Sequence, residues 1–399
     1  MDKRLKTVPS AKRLLFNHIA ELGVVSKAEL LTSMSLTSST LTRLLDDMVA
    51  EGLLQLSGLG HSSGGRRPLL YEAAPDYGYM FGIEISRVSS SLGLFDMQLN
   101  PRSLIHWPMD EAMTPERFIQ HVHLNINAFL RDHHIAREQV RGIGIGAVGP
   151  LDRERGIIVQ PLHFPAKGWV DLPICELMEQ LTGFKTILDN GANAALLGEQ
   201  WALRHEKVQH MLYVHAGVGI RSAMMSHGQI IHGTVDMEGA VGQMIIQTDG
   251  QRLHETGNYG ALEAYVSVQA LEKQARAQLK TGRSDLSPLL LEQPDRVNFA
   301  ALVKALHAGD PFVRELFMQS AAYFGIGLAN LINVLHPEKI ILGGALINAH
   351  ELFYQTAIEV ARKNSYYYPQ YEPLFSKGEL KEDAVATGAA MMMWRELEI

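Results

Sequence analysis

The chain has 399 residues, 46% of them hydrophobic and 20% charged, with a formal net charge of −7, as in an ordinary soluble protein of two or three domains. Its single cysteine, Cys175, excludes an internal disulfide bond, and no apolar run is long enough to cross a bilayer. We therefore expect a cytoplasmic protein with no secretory signal and no membrane partner, in which Cys175 is a buried small hydrophobic residue.

Short helices are predicted near the start of the chain. The first contains Leu15, Ile19 and Leu22 and stops at Gly23. The segment Ser26-Lys27-Ala28-Glu29 has the pattern of a capping box and opens the second. The third begins at the N-cap Thr37 and is closed by Gly52. One face of this third helix is apolar, with residues spaced at i, i+3, i+4 and i+7: Leu41, Leu44, Leu45 and Met48.

A β-wing is predicted after the third helix. A short apolar strand leads into a Gly- and Ser-rich tip with two arginines, and a second strand follows, up to Glu72. Helices followed by a wing are typical of a winged helix-turn-helix, whose third helix enters the major groove of DNA. The residues predicted to contact DNA are Thr37, Ser38, Ser39, Thr42, Arg43, Arg66 and Arg67. The alternative is a helical interaction domain whose wing arginines are only solvated.

The net charge of this segment is small for a DNA-binding protein. Residues 1–75 contain nine Lys or Arg and seven Asp or Glu, a net of +2, which leaves −9 on the rest of the chain. Phosphate contacts supply most of the non-specific affinity for DNA. Useful affinity is therefore expected to require two such segments acting together in a dimer.

Strands and helices alternate after a boundary at residues 74–78. The predicted strands are 80–85, 91–95, 142–146, 185–188, 209–216, 221–226 and 339–342. The predicted helices are 115–133, 190–204 and 262–280, and residues 300–335 are predicted to be mostly helical. Alternation of this kind predicts an α/β domain, and its length predicts two similar lobes around a cleft.

Motifs along the chain resemble those of the ROK family of repressors, open reading frames and kinases. They are residues 62–68 (SSGGRRP), 189–199 (DNGANAALLGE), 217–220 (GVGI) and 336–344 (HPEKIILGG). The resemblance covers almost the whole chain, and the motifs follow the order of the family. It implies an actin-like, hexokinase-like ATPase fold with a sugar pocket between two lobes, and it implies dimers or tetramers.

The chain departs from the ROK kinase pattern at the catalytic base. A sugar hydroxyl is a poor nucleophile, so a kinase needs a carboxylate to take its proton. In the family this Asp follows the Asn that corresponds to Asn190, and here Gly191 stands in its place. Because Asp189 precedes Asn190 in a strand-to-helix turn, its side chain is expected to point elsewhere. We therefore predict that the chain is not an enzyme.

The phosphate-binding loops that the resemblance implies are also altered. Residues 84–88 (EISRV) stand where the family has Asp-x-Gly-Gly-Thr, and residues 217–221 (GVGIR) where it has Gly-Thr-Gly-Ile-Gly. Side chains replace glycines that let backbone amides approach phosphate, and the Thr hydroxyls are lost. ATP binding is expected to be impaired at both loops, and no cofactor is predicted.

The zinc site of the family requires one His and three Cys ligands. Gln243 replaces the His, and His254, Thr256 and Ala261 occupy the Cys positions, so no structural zinc is predicted.

The sugar pocket is expected to be partly retained. Asn190 and Glu263 match family positions that hydrogen-bond sugar hydroxyls, while Ala240 replaces a Glu. We predict that Asn190, Gln243 and Glu263 converge in an apolar cleft and bind a sugar-like effector that differs from an ordinary hexose. The alternative is a pocket that binds nothing and serves as a scaffold.

These expectations define a winged helix-turn-helix at residues 1–75, a first ROK lobe at 76–195 completed by about 375–399, and a second lobe with the dimerisation surface at 196–375. The predicted function is a transcriptional regulator, acting as a repressor on a double-stranded DNA operator. A bound effector would change lobe closure and the spacing of two DNA-binding segments. The alternative is an ATP-dependent sugar kinase with an accessory DNA-binding domain, and a further option is a non-enzymatic binder of a transport protein.

Overall fold

The computed structural model describes residues 10–60, 67–161, 164–236, 238–280 and 297–399, and these residues form two compact units. Unit 1 contains the described residues up to Lys207 together with Asp383–Ile399. Unit 2 contains those from Val208 to Glu382. The chain therefore leaves unit 1 after Lys207 and returns to it at Asp383.

The N-terminal part of unit 1 contains the helices α1 (Ala11–Leu22), α2 (Lys27–Ser33) and α3 (Ser38–Ala50). The predicted capping box of α2 is confirmed, because Ser26 and Glu29 cap each other's backbone amides. Thr37 caps α3, and Gly52 follows the helix with φ +77°, a left-handed conformation that favours glycine. The predicted apolar face of α3 is buried: Leu41, Leu44, Leu45 and Met48.

Short strands pair beside these helices: β1 (Val25–Ser26), β2 (Leu54–Leu59) and β3 (Leu69–Ala73). They are antiparallel in the order β1-β3-β2. The β2–β3 pair occupies the region predicted for the wing, whereas β1 was not predicted because a two-residue strand has no periodicity. Residues 61–66, which include Arg66 and most of the predicted tip, lie outside the described residues.

Unit 1 also contains a mixed sheet with the strand order β10-β7-β4-β5-β6. Its strands are β4 (Tyr79–Ile85), β5 (Ser89–Phe95), β6 (Pro101–Pro108), β7 (Val140–Ala147) and β10 (Thr186–Asn190), and a hairpin joins β8 (Leu151–Asp152) to β9 (Ile157–Ile158). Strands β10, β7 and β4 are parallel, and β4, β5 and β6 are antiparallel. Strand β6 was not predicted because a proline stands at each end. The edge of a sheet tolerates this residue.

The two faces of this sheet carry different side chains. One face packs with α4 (Pro115–Asp132) and α5 (Ile174–Thr182) through large apolar residues: Phe81, Ile83, Ile143 and Ile145. The other face carries Gly82 and Gly144 and contacts α12 (Ala384–Arg395), which also packs on α6 (Gly191–Ala202). A Cβ added at Gly82 or Gly144 would lie 1.9 or 1.8 Å from a carbonyl oxygen of α12. Glycine on this face therefore lets the backbone of α12 lie directly on the sheet.

Unit 2 repeats this kind of architecture. Its sheet has the order β13-β12-β11-β14-β15, formed by β11 (Met211–Ala216), β12 (Ile220–Ser226), β13 (Gln229–Ile230), β14 (Lys339–Gly343) and β15 (Leu374–Ser376). Its helices are α7 (Val268–Leu279), α8 (Phe299–His307), α9 (Pro311–Leu335), α10 (Ala345–Ala349) and α11 (Glu351–Asn364). The predicted α/β class is confirmed. Within the described residues, no helix combines the length and the apolar character that a membrane span requires.

Two stretches with a helical prediction are interrupted. The prediction of one helix at 262–280 was wrong, because a 3-10 turn at Leu262–Ala264 is followed by α7, which Ser267 caps by accepting the N–H of Ala270 at 3.0 Å. Residues 300–335, predicted to be mostly helical, form α8 and α9, which are separated by Gly309 at φ +80° and by Asp310, the N-cap of α9. Apolar spacing continues through both breaks and does not reveal a side chain that starts a new helix.

Cys175 lies in α5 and is buried, as predicted. Burial, and to a smaller extent the carboxylate of Glu179, raises the pKa of the thiol from 9.0 to about 12. Because the thiolate is the reactive form, we expect iodoacetamide at pH 8.5 to alkylate the folded chain at least about 100-fold more slowly than the urea-unfolded chain. Mass spectrometry of timed samples measures both rates, and equal rates would contradict this environment.

The raised pKa of Cys175 also determines how its contribution to stability changes with pH. The folded chain retains the thiol proton more strongly than the unfolded chain, so this contribution to stability is fully present below pH 9. It is lost as the pH rises from 9 towards 12.

Candidate functional site

The residues predicted to contact DNA in α3 lie at the N-terminal end of the helix and on its outer face. Ser38, Ser39 and Arg43 are exposed. Thr37 Oγ1 accepts the backbone N–H of Thr40 at 3.3 Å, and Thr42 Oγ1 donates to the carbonyl of Ser38 at 2.7 Å. The structure therefore brings these residues together, with the hydroxyls of Thr37 and Thr42 already engaged within the helix.

Lys27 lies beside the predicted DNA-contacting residues of α3, and the sequence did not identify it as one of them. Its Nζ donates to Thr42 Oγ1 at 2.6 Å, which places the ammonium group beside α3. Lys27 is the first residue of α2, where a positive charge opposes the helix dipole. A lysine at this unfavourable position is the feature of the sequence that could have indicated a role for it outside its own helix. Arg67 is also exposed, while Arg66 lies outside the described residues.

Asn190 stands at the junction between β10 and α6. Its Oδ1 accepts the backbone N–H of Asn193 at 2.7 Å and so caps the helix. In the register of the parallel strands, Asn190 aligns with Ala147 of β7, which aligns with Ile85 of β4. These are the carboxyl ends of neighbouring parallel strands, the edge at which α/β sheets bind ligands.

The carboxylate of Asp189 is held by contacts within unit 1. Its Oδ1 accepts the backbone N–H of Asn190 at 2.7 Å and the side-chain N–H of Asn193 at 3.0 Å. Its Oδ2 lies 3.7 Å from a guanidinium nitrogen of Arg153. The next residue after Asn190 is Gly191, the first residue of α6, which has no side chain that can accept a proton.

The turn after β4 is closed by its own hydroxyl groups. The backbone N–H of Ser86 donates to Ser90 Oγ at 3.4 Å, and that of Val88 donates to Ser86 Oγ at 3.5 Å. In unit 2, the turn between β11 and β12 is closed by the N–H of Gly217, which donates to the carbonyl of Gly219 at 3.0 Å. These amides are therefore directed into their own turns.

Gln243 and Glu263 form a hydrogen-bonded pair in unit 2. Gln243 Nε2 donates to Glu263 Oε2 at 3.1 Å, and Gln243 Oε1 accepts the backbone N–H of Asn258 at 2.9 Å. The side-chain N–H of Asn258 donates to the carbonyl of Gln243 at 3.0 Å. The other carboxylate oxygen of Glu263 lies close to Gly219, where an added Cβ would be 2.6 Å from it. Gln243 thus joins the segment around Asn258 to the carboxylate of Glu263.

The zinc ligands implied by the family pattern do not fit this arrangement. Both ends of the Gln243 amide are hydrogen-bonded, and Ala261 has no donor atom. Zinc is held in proteins by Cys, His and carboxylate ligands. In the part of the chain that the structure describes, no cluster of three or more His, Cys, Asp or Glu residues is arranged to hold a metal ion.

Comparison with known proteins identifies one family and two classes of relative. The profile of the ROK family matches residues 81–396. A xylose repressor of Caldicellulosiruptor bescii is 26% identical over 390 residues, an alignment that covers 96% of this chain and 94% of the repressor. A glucokinase of Halalkalibacterium halodurans is 30% identical over 220 residues, which cover 55% of this chain and 66% of the glucokinase.

A solved structure also resembles this chain over most of its length. The crystal structure of a ROK family transcriptional regulator, described as a homologue of the Escherichia coli Mlc protein, superimposes with a TM-score of 0.75 and 20% identity. The superposition covers 96% of this chain and 98% of that chain. At this identity the likeness shows a shared fold.

Proposed function

The chain belongs to the ROK family, and we propose that it is a DNA-binding transcriptional regulator, acting as a repressor, whose kinase-like part binds a sugar or sugar derivative without phosphorylating it. The observation that carries the proposal is the N-terminal segment of α1–α3 and β1–β3 with its exposed Arg43. The whole of this segment precedes the part matched by the family profile, and the alignment with a named repressor covers 96% of the chain. The shared length supports a regulator of the same type.

The arrangement of this segment supports a winged helix-turn-helix at residues 1–75. In such a domain the third helix lies in the major groove and the wing contacts the DNA backbone. Ser38, Ser39 and Arg43 would then face base edges and phosphates, and Lys27 would add a phosphate contact that the sequence did not predict. Arg66 and Arg67 remain proposed contacts of the wing.

Loss of kinase activity is the second part of the proposal. Gly191 offers no base, the Asp189 carboxylate is held by Asn190, Asn193 and Arg153, and the turn at Ser86–Val88 directs its amides inward. The rival function, an ATP-dependent sugar kinase, is favoured by the match to the glucokinase. Turnover of D-glucose or D-xylose with ATP that disappears in Asp189→Ala would favour the kinase.

The effector contacts are proposed separately for each unit. In unit 1, Asn190 stands at the ligand-binding edge of the sheet. In unit 2, Glu263 presents a carboxylate whose position is set by Gln243. Because both ends of the Gln243 amide are engaged, we assign Gln243 the role of orienting Glu263. Convergence of these residues in one pocket stays a prediction, as do the domain boundaries, the cytoplasmic location and assembly as a homodimer or tetramer.

Replacing Gln243 by alanine is expected to loosen the segment that contains Arg252. The substitution removes the acceptor of the Asn258 backbone N–H and the donor to the Glu263 carboxylate. This loss lowers the free energy of local opening by about 1–1.5 kcal/mol, so the open form becomes about 5- to 10-fold more populated. We expect trypsin to cleave after Arg252 faster by that factor, as measured by mass spectrometry. Gln355→Ala, which removes only an exposed hydrogen bond to Glu351 in α11, is the matched control. An unchanged cleavage rate in Gln243→Ala would contradict this role.

The proposed function is tested by capture of genomic DNA fragments with the purified full chain at two salt concentrations, followed by sequencing. A repressor of this type enriches a few two-fold symmetric sites. Arg67→Ala is the comparison variant, because Arg67 is exposed and belongs to the proposed wing. Recovery of only salt-sensitive, sequence-independent fragments, or of none, would overturn the proposal.

A further inference from the structure

The guanidinium group of Arg13 in α1 is buried against the end of α12. Nη1 donates to the carbonyl of Leu397 at 2.6 Å. Nη2 donates to the carbonyls of Trp394 and Arg395 at 3.0 and 3.2 Å. The last carbonyls of a helix lack partners within it and carry the negative end of its dipole. Arg13 therefore satisfies the C-terminal end of α12 from a helix some 380 residues earlier in the chain.

Aromatic packing supports the same junction. The ring of Phe16 in α1 stacks on Trp394 with centroids 5.7 Å apart and an interplanar angle of 25°. The Arg13 guanidinium carbon lies 5.2 Å from the Trp394 ring centroid, within the range of a cation–π contact. Trp394 also contacts Trp201 at the end of α6 and donates its indole N–H to the carbonyl of Met97 at 3.0 Å. Trp394 thus joins α1 to the rest of unit 1.

The position of α12 is itself tightly defined. It lies on the sheet at Gly82 and Gly144, where no side chain separates the two backbones. It contacts α6 at Gly388, where an added Cβ would be 1.6 Å from the carbonyl oxygen of Ala194. Contacts of this closeness leave α12 little freedom to shift, because packed interiors do not deform continuously.

Helix α3 is in turn attached to α1. Lys12 of α1 forms an ion pair with Glu51, the residue that follows α3. Helix α1 contacts β3, helix α3 contacts β2, and β2 and β3 pair as antiparallel strands. The direction of α3 is therefore linked to that of α1 through the β2–β3 pair, and α1 is held by α12.

We propose that Arg13 is a positioning residue that fixes the direction of the DNA-binding helix relative to the rest of unit 1, and so sets the distance between half-sites that a dimer recognises. The inference rests on the proposed function. Arg13 itself faces α12 and does not belong to the outer face of α3. Its loss should change how two half-sites are combined and leave the recognition of one half-site intact.

A purely structural role of Arg13 as a helix cap predicts a different result. Loss of a cap lowers stability and affects the binding of single and paired half-sites alike. A positioning role affects only paired half-sites, because simultaneous engagement depends on geometry and is lost when the geometry does not fit. The dependence of affinity on half-site spacing therefore separates the two roles.

The experiment uses the full chain and a DNA site captured by the wild-type protein. Affinity is measured for that site, for a single half-site, and for versions with one to five base pairs inserted between the half-sites. We expect wild-type affinity to fall by about 100-fold or more at the worst spacing. In Arg13→Gln we expect the variation across spacings to be less than about 5-fold, with single half-site affinity within about 2-fold of wild type.

Two further variants make the result decisive. Arg13→Lys retains one positive donor and should recover part of the spacing preference, and it replaces Arg13→Gln if the latter does not fold. Arg131→Gln, at an exposed position of α4, should behave as wild type. A folded Arg13→Gln protein with the wild-type spacing preference would overturn the inference alone. A wild-type protein without any site-specific binding would overturn the proposed function and this inference with it.

Discussion

Replacing Arg43 by alanine is expected to lower the affinity for a captured two-half-site DNA by about 30-fold or more. The guanidinium group is exposed on the outer face of α3, and a bidentate contact to a guanine or a phosphate is worth about 1–3 kcal/mol. A dimer presents this side chain twice, so the loss is about 2–6 kcal/mol. Fluorescence anisotropy with labelled DNA at a fixed salt concentration measures the effect.

The control for Arg43 separates a specific contact from general electrostatics. Arg131→Ala removes an equally charged group from α4, where the side chain is 75% exposed and pairs with Asp132. We expect its affinity to remain within about 2-fold of wild type, because isolated surface charges contribute little. If Arg43→Ala binds as tightly as Arg131→Ala, α3 is not the recognition helix. A repeat at several salt concentrations distinguishes the two kinds of contact, because loss of a phosphate contact makes the salt dependence of affinity less steep, whereas loss of a base contact changes the sequence preference.

Replacing Gly388 by alanine is expected to destabilise the protein by about 3 kcal/mol or more, although alanine favours helices by about 1 kcal/mol over glycine. The added Cβ would lie 1.6 Å from the carbonyl oxygen of Ala194 and 2.8 Å from the backbone nitrogen of Gly198. Neither backbone atom can move without separating α6 from α12. Overlap at this interface therefore outweighs the gain in helix propensity, and a urea titration followed by circular dichroism measures the difference.

Gly239→Ala is the matched control for the same chemical change. A Cβ at Gly239 would have its nearest neighbour, the carbonyl oxygen of Ile220, at 3.9 Å, which is an ordinary contact. We expect a change in unfolding free energy of less than about 0.5 kcal/mol for this variant. A Gly388→Ala protein as stable as Gly239→Ala would show that α6 and α12 do not pack as closely as described.

Several features of the fold could be read from local patterns. The apolar spacing of α3, the capping box at Ser26 and Glu29, and the glycine after α3 are properties of residues three to seven positions apart. Helices are stabilised by such neighbours, so their existence and caps are encoded locally. The motifs at residues 189–199 and 336–344 similarly identified the family before the sheets were known.

Features that depend on contacts between distant segments were not predictable in this way. The prolines at the two ends of the edge strand β6 argue against a strand in the sequence. The strand forms because it pairs with β5. The breaks before α7 and α9 were missed for a different reason: Ser267 and Asp310 each accept a backbone N–H three residues later, and a continuous apolar pattern conceals these local caps.

The candidate sites show the same division. The sequence by itself determined which chemical groups are present: the cations of α3 and the predicted wing, the absence of a base after Asn190, and an amide at Gln243. Only the tertiary structure decided their partners. It placed Lys27 on Thr42, Asp189 near Arg153, Gln243 between Asn258 and Glu263, and Arg13 on the end of α12. Each of these pairings joins residues 15 or more positions apart in the chain, and their distances depend on the packing of the elements, which a single sequence without its fold does not specify.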